Sequence, residues 1–163
     1  MNIPYKTAND LPPETRSRIV TLLNQRLADA IDLRLQAKQA HWNVKGPHFI
    51  ALHELFDKAA GELDEFIDDI AERAVQLGGI AAGTLQAVSA QSTLPPWPPD
   101  TLSGTQHLAA VINGLAAFGT LVRRAIDAAT EAGDADTADL FTGVSRGVDK
   151  LLWLVEAHTQ SPS

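Results

Sequence analysis

"HFIALHELFDKAAGELDEFIDDIAERAVQLGG", residues 48–79, carries its apolar side chains at the spacing of one long amphipathic helix. Pro47 precedes this stretch, and proline suits the first turn of a helix. Gly78 and Gly79 close it, as glycines commonly do. We therefore predict a helix from Pro47 to about Gly78 with one buried stripe. The stripe contains Leu52, Phe56, Leu63, Ile67, Ile70 and Ala74.

A second long helix is predicted upstream, from Pro13 to about Trp42. Its start again has prolines, at positions 12 and 13, where the first helical turn tolerates them. Its apolar residues recur every four positions, and we expect them to face the core. They are Ile19, Leu23, Leu27, Ile31 and Leu35.

Two more helices are predicted downstream. Ser103 and Gln106 match the capping box that starts a helix, and Gly133 ends the periodic segment that follows. The last helix is expected from about Asp136 to His158, with Trp153 in the core.

Residues 80–100 connect the two halves of this pattern. A short helix is predicted over residues 84–92, whereas "TLPPWPPD" (93–100) is excluded from a helix interior because proline removes a donor and clashes with the preceding turn. No segment alternates in the manner of a strand. The sequence thus predicts an all-α protein, a four-helix bundle with one long crossover that carries a short helix. We expect a single domain over residues 1–163, with short tails at 1–10 and 159–163.

Amino-acid composition limits the kinds of site and partner that the protein can have. The formal net charge is −7 and the chain has no cysteine, so a thiolate metal site is excluded and cations are favoured over nucleic acid as partners. The N-terminus lacks the apolar core of a signal peptide, and we expect no stretch to be long and apolar enough to span a bilayer. We therefore expect a cytoplasmic protein without a membrane partner.

The helix over residues 48–79 also carries two pairs of side chains of the types that bind metal ions. His53 and Asp57 form an upper pair, and Asp68 and Glu72 form a lower pair, within about 100° of one another around the helix. Asp57 and Asp68 lie roughly 16 Å apart along the axis, whereas two ligands of one ion lie within about 4.5 Å. The two pairs cannot share an ion within one straight helix.

Antiparallel docking of two copies about a two-fold axis near Glu62 and Leu63 would bring one copy's upper pair to the other's lower pair. His41 would join the upper pair across the Gly46-Pro47 turn. Two imidazoles and three carboxylates suit Fe(II), with Mn, Zn and Co as competitors. The competing interpretation is that acids four residues apart on a helix are solvated surface, and that a lone histidine is a packing or capping residue.

Three stretches, "KQAHWNVKG" (38–46), "HFIALHELFD" (48–57) and "DDIAERAVQLGG" (68–79), resemble the Dps proteins, the mini-ferritins named DNA-binding proteins from starved cells. "DADTADLFTGVSRGVDKLLWLVEAH" (134–158) extends the likeness. The resemblance implies a ferritin-like bundle and a homo-oligomeric shell of twelve subunits built from two-fold dimers. It also implies oxidation of Fe(II), preferably by hydrogen peroxide, at a mono-iron or di-iron ferroxidase centre, with storage of ferric oxide.

The resemblance also implies residue roles. The iron ligands would be His41, His53 and Asp57 of one subunit with Asp68 and Glu72 of its neighbour. Trp42 would be a candidate electron donor. Further candidates are Asp134 and Asp139 at a pore and Glu54 in mineral nucleation.

DNA binding is the point at which we expect this chain to depart from the family name. Family members that bind DNA often carry a lysine-rich terminal tail, whereas Lys6 is the one base among the first fifteen residues here. We predict weak DNA binding at most at physiological salt, since phosphate contacts depend on several lysines or arginines. Two alternatives stay open: a shell whose site holds zinc and is slow with iron, and a nucleoid-associated packing protein without significant catalysis.

Overall fold

Five helices make up the computed structural model, which describes residues 3–160. Within that range there is no strand, so the predicted all-α class is confirmed. Four helices are long and one is short, as expected, and each boundary lies within about two residues of the predicted one. They are α1 (Pro13–Asn43), α2 (Phe49–Gln76), α3 (Leu85–Gln91), α4 (Gly104–Glu131) and α5 (Ala135–Glu156).

The helices pair as α1 with α2 and α4 with α5, and the two pairs close into a bundle. Short turns at residues 44–48 and 132–134 make each pair antiparallel. Gly104, at the start of α4, lies against the backbone of Lys45, next to the start of α2. The segment from Leu77 to Ser103 must therefore run the length of the bundle, which explains the long crossover.

Polar residues of α1 hold this crossover. Asp29 is fully buried, accepts hydrogen bonds from the Thr93 amide and hydroxyl, and pairs with Arg26 at 2.8 Å. Burial lowers the pKa of the Arg26 guanidinium, and the charge of Asp29 opposes that shift. At the start of the crossover, the Asn24 side chain donates to Ile80 O, and its Oδ1 accepts a hydrogen bond from the Ala82 amide. The loop is thus tied to the bundle on both sides of α3.

The α1 core stripe differs from the predicted one. Ile19 and Leu27 are buried, but Leu35 is 40% exposed, and Leu33 is buried in its place. A four-residue step drifts by about 40° per step against the 3.6-residue period, so a stripe that starts at Ile19 has rotated by roughly 160° at Leu35. The prediction for Trp153 was also wrong, since its side chain lies on the outside of α5, 60% exposed.

One helix among residues 3–160, α4, is long and apolar enough to cross a membrane by length and composition alone. The expectation that no stretch would meet this test was therefore wrong. The core helix of a water-soluble bundle passes the same test, and α4 places Leu115, Phe118 and Val122 in the core.

The segment before α1 is attached to the bundle. The Tyr5 amide donates to Gly78 O at 3.2 Å. Arg16, in the first turns of α1, donates to Leu11 O of the segment at 3.1 Å and to Leu77 O at 3.3 Å. The described part of the predicted N-terminal tail therefore packs on the end of α2. The remainder of the two predicted tails, residues 1, 2 and 161–163, lies outside the described residues.

Candidate metal centre

The turn between α1 and α2 brings two predicted ligands together. His41 lies in the last turn of α1 and His53 in the second turn of α2. Their rings stack with centroids 3.8 Å apart and an angle of 23° between planes. Each ring is held by the other residue's backbone: His41 Nδ1 donates to His53 O, and His53 Nδ1 donates to His41 O, both at 2.8 Å.

These reciprocal hydrogen bonds determine the tautomer of both rings. A carbonyl oxygen can only accept, so each Nδ1 carries the proton. In the neutral imidazole each Nε2 then has a free lone pair, which is the form that binds a metal. The same arrangement, with one nitrogen bound to a carbonyl and the other left for the metal, orients histidine ligands in metalloproteins generally.

Asp57 completes this end of the site. Its Oδ1 lies 4.0 Å from His41 Nε2 and accepts a hydrogen bond from Lys38 Nζ at 2.7 Å. The hydrogen bond from Lys38 is the main cause that lowers the pKa of Asp57; the charge of Lys38 and those of the two histidines, when protonated, add to the effect, and partial desolvation opposes it. Asp57 is therefore an ionised carboxylate close to the Nε2 lone pair of His41.

Lys38 is a further residue at this end of the site that the sequence pattern did not indicate. Its Nζ also lies 5.8 Å from the centre of the Trp42 ring, within the range of a cation–π contact. The spacing could have indicated its position, because Lys38 precedes His41 by three residues and so lies on the same face of α1. Trp42 itself is 60% exposed beside the candidate ligands.

The lower pair lies farther along α2. Asp68 and Glu72 are exposed and have no hydrogen-bond or ion-pair partner within residues 3–160. Because α2 is one continuous helix, they are separated from Asp57 by roughly 16 Å or more along the axis. In the described part of the chain, no group of three or more histidine and acidic side chains is arranged to hold a metal ion. The five predicted ligands are therefore not brought together within one subunit.

The other candidate residues have different surroundings. Asp134 is buried at the N-terminus of α5, where it accepts from the Thr137 amide and hydroxyl and pairs with Arg73 at 2.8 Å. Within the subunit, this carboxylate has a structural role that the sequence did not suggest. Asp139 and Glu54 are exposed. Pore and nucleation roles stay predictions.

Comparison with known proteins agrees with this architecture. Residues 20–162 match the family described as "Ferritin-like domain". A DNA protection during starvation protein from Agrobacterium fabrum is 51% identical over 159 residues, which is 98% of each chain.

Solved structures give the same result. DpsC from Streptomyces coelicolor superposes with a TM-score of 0.92 at 32% identity, over 100% of this chain and 96% of its own. Dps from Mycobacterium smegmatis superposes with a TM-score of 0.92 at 29% identity, over 98% of this chain and 90% of its own. This chain is a member of the Dps family of ferritin-like proteins.

Proposed function

We propose that the protein is a ferroxidase that stores iron, with its catalytic site shared between two subunits. The observation that carries this proposal is the presence of two incomplete sets of ligands in one subunit, one where the end of α1 meets the start of α2 and one farther along α2. At one end, His41, His53 and Asp57, called the upper set, offer two imidazole lone pairs and a carboxylate. At the other, the lower pair, Asp68 and Glu72, called the lower set, are carboxylates without partners in the described chain.

A second copy supplies the missing half. If α2 packs antiparallel to α2 of the partner subunit, each upper set meets the partner's lower set, and the two-fold axis generates two identical sites. The surfaces beside the two sets fit this arrangement. Exposed Trp42 flanks the upper set, whereas Glu72 lines an open recess of about 370 Å³ together with Val75 and Ala81. An indole of the partner subunit would bury its apolar surface in such a recess.

The chemistry follows from the ligands. Three carboxylates stabilise Fe(III) more than Fe(II) because their attraction grows with the charge of the ion, so they favour loss of an electron. Two Fe(II) ions together supply the two electrons that reduce one hydrogen peroxide, with two protons, to two waters. Consumption of Fe(II) and peroxide in the same reaction protects DNA and other cell components from radicals without any need to bind them. A closed shell, which the family resemblance gives as twelve subunits, would hold the ferric oxide.

Removal of both histidines tests the site. We expect His41→Gly with His53→Gly to lower the rate of peroxide-driven Fe(II) oxidation by more than about 100-fold, since loss of supporting groups alone commonly costs 10–100-fold. Fe(II) is added without oxygen, peroxide is then mixed in, and ferric absorbance is followed. The matched control is His48→Gly with His158→Gly, two exposed histidines outside the site. Equal rates in the two double variants would refute the proposed site.

Zinc occupancy is the alternative that the ligands themselves support, because histidine and carboxylate also bind Zn²⁺ well. If zinc is the native metal, the purified protein will contain zinc in amounts that depend on His41 and His53, and iron will be oxidised slowly. If iron is the substrate, added Zn²⁺ will inhibit a rapid reaction by competition. Metal analysis combined with the oxidation rate separates the two.

A further inference from the structure

Lys38 lies between a candidate metal ligand and an aromatic ring. Its Nζ donates to Asp57 Oδ1 at 2.7 Å and lies 5.8 Å from the centre of the Trp42 ring. The same carboxylate oxygen is the one 4.0 Å from His41 Nε2. The Lys38 side chain is 21% exposed, so most of it is packed against the protein. One ammonium group thus contacts the carboxylate and faces the indole at the same time.

We propose that Lys38 is a positioning residue that occupies the place of a cation at Asp57 in the metal-free site and conveys metal binding to Trp42. The inference rests on the proposed function, since it takes His41, His53 and Asp57 as ligands of a divalent cation. Lys38 contacts neither ring nitrogen in the structure, and its effect on the metal would act through Asp57.

Competition for one oxygen is the first consequence. A divalent cation that approaches His41 Nε2 reaches the Asp57 oxygen that Lys38 already holds. Binding must therefore break or weaken the hydrogen bond from Lys38, which lowers the net affinity for the cation. A storage protein benefits from this, because an ion that is held too tightly would not move on into the shell. As the ion leaves, the ammonium returns to the carboxylate.

Transfer of charge to Trp42 is the second consequence. Once the metal neutralises Asp57, the ammonium loses its nearest counter-ion. The indole face is already within the roughly 6 Å over which an ammonium is attracted to a ring. An ammonium that is no longer paired changes the electrostatic potential at the indole, and tryptophan emission responds to that potential. Trp42 should therefore report occupancy of a site to which it contributes no ligand.

The sign of the change in metal affinity on removal of Lys38 separates this role from a merely structural one. A residue that only supports the site weakens metal binding when it is removed, whereas a competitor strengthens it. The assembled protein is prepared with Trp97→Phe and Trp153→Phe, so that Trp42 is the one tryptophan left of three. Lys38→Gln removes the charge, and Lys38→Arg retains it as the matched control. Zn²⁺, which does not change oxidation state, is titrated by calorimetry and by Trp42 emission.

We expect Lys38→Gln to bind Zn²⁺ about two- to fivefold more tightly, in line with the modest strength of a half-exposed ion pair. Its Trp42 emission should change less than half as much on binding, whereas Lys38→Arg should behave like the parent. Unchanged or weaker binding in Lys38→Gln, or an undiminished emission change, would overturn the inference for Lys38 alone. Undiminished Zn²⁺ binding after His41→Gly with His53→Gly would overturn the proposed site and this inference with it.

Discussion

At the scale of the residue, the backbone fixes the two histidines in the tautomer that a metal ligand requires. An imidazole binds a metal through a nitrogen without a proton, and hydrogen bonds decide which nitrogen that is. Here His41 and His53 each use the other's carbonyl oxygen, so one turn fixes both tautomers at once. No partner subunit is needed for this step. These two candidate ligands of the proposed site are therefore already oriented in the single chain.

Asp57 gives a prediction about pH. In the metal-free protein its pKa lies below that of an ordinary aspartate, chiefly because of the hydrogen bond from Lys38. Because the pKa is lowered in the folded state, the stabilisation that this pair contributes is complete above the ordinary aspartate range. It is lost as the pH falls through the lowered pKa.

Lys38→Gln should raise the pKa of Asp57 toward the ordinary value. A ¹³C NMR titration of the side-chain carboxyl measures it directly, with Lys38→Arg as the charge-preserving control. An Asp57 pKa that is the same in both variants would show that Lys38 does not control this carboxylate.

The sequence was sufficient for the identities of the candidate ligands but not for their surroundings. The positions of the ligands along the chain, from His41 to Glu72, can be read from the sequence. Because helical geometry gives the distances between them, the sequence alone predicts two half-sites. The contact of Lys38 with Asp57 joins two helices and depends on their packing, which periodicity does not fix. The buried state of Asp134 likewise depends on Arg73, which approaches from α2.

At the scale of the element, the helices follow from local signals. Pro13 begins α1, and the predicted capping box of Ser103 and Gln106 is present at α4. The rotation of the α1 stripe was not predictable from a four-residue step, because the core follows the 3.6-residue period and selects Leu33 over Leu35. Gly147 lies where an added Cβ would overlap the Phe66 ring, so α2 and α5 approach closely there.

Two glycines that end helices provide a matched pair. Gly78 (φ 84°) follows α2, and Gly133 (φ 79°) follows α4. A Cβ on Gly78 would lie 2.6 Å from the backbone oxygen of Tyr5, whereas a Cβ on Gly133 would meet nothing within 4 Å. Gly133→Ala should therefore lower the free energy of unfolding by about 1–2 kcal/mol, the cost of the left-handed backbone alone.

Gly78→Ala should cost at least about 1 kcal/mol more, because it also crowds the N-terminal segment. It should also speed hydrogen exchange at the Tyr5 amide, which donates to Gly78 O. Denaturant unfolding and hydrogen exchange measure the two effects. Equal destabilisation by the two substitutions, with exchange at Tyr5 unchanged, would contradict the docking of the N-terminal segment.

At the scale of the whole molecule, the negative net charge disfavours DNA as a partner. The chain carries a formal charge of −7, and Lys6 is the one base in its first fifteen residues. DNA binding should therefore be weak at physiological salt, since affinity for DNA depends on the number of phosphates that a protein neutralises. A gel shift with plasmid in about 150 mM salt should leave the DNA unshifted. Tight binding under those conditions would contradict this prediction.

Assembly decides whether the two half-sites belong together, and a complementation experiment measures this most directly. One variant lacks the upper set (His41→Gly, His53→Gly), and the other lacks the lower set (Asp68→Asn, Glu72→Gln). In a mixed dimer, the intact upper set of one chain meets the intact lower set of the other. Each variant alone should be inactive, and random co-assembly should restore roughly a quarter of the wild-type sites, because half of the dimers are mixed and each has one complete site. Peroxide-driven Fe(II) oxidation that stays absent in the co-assembled shell would contradict a site shared between subunits.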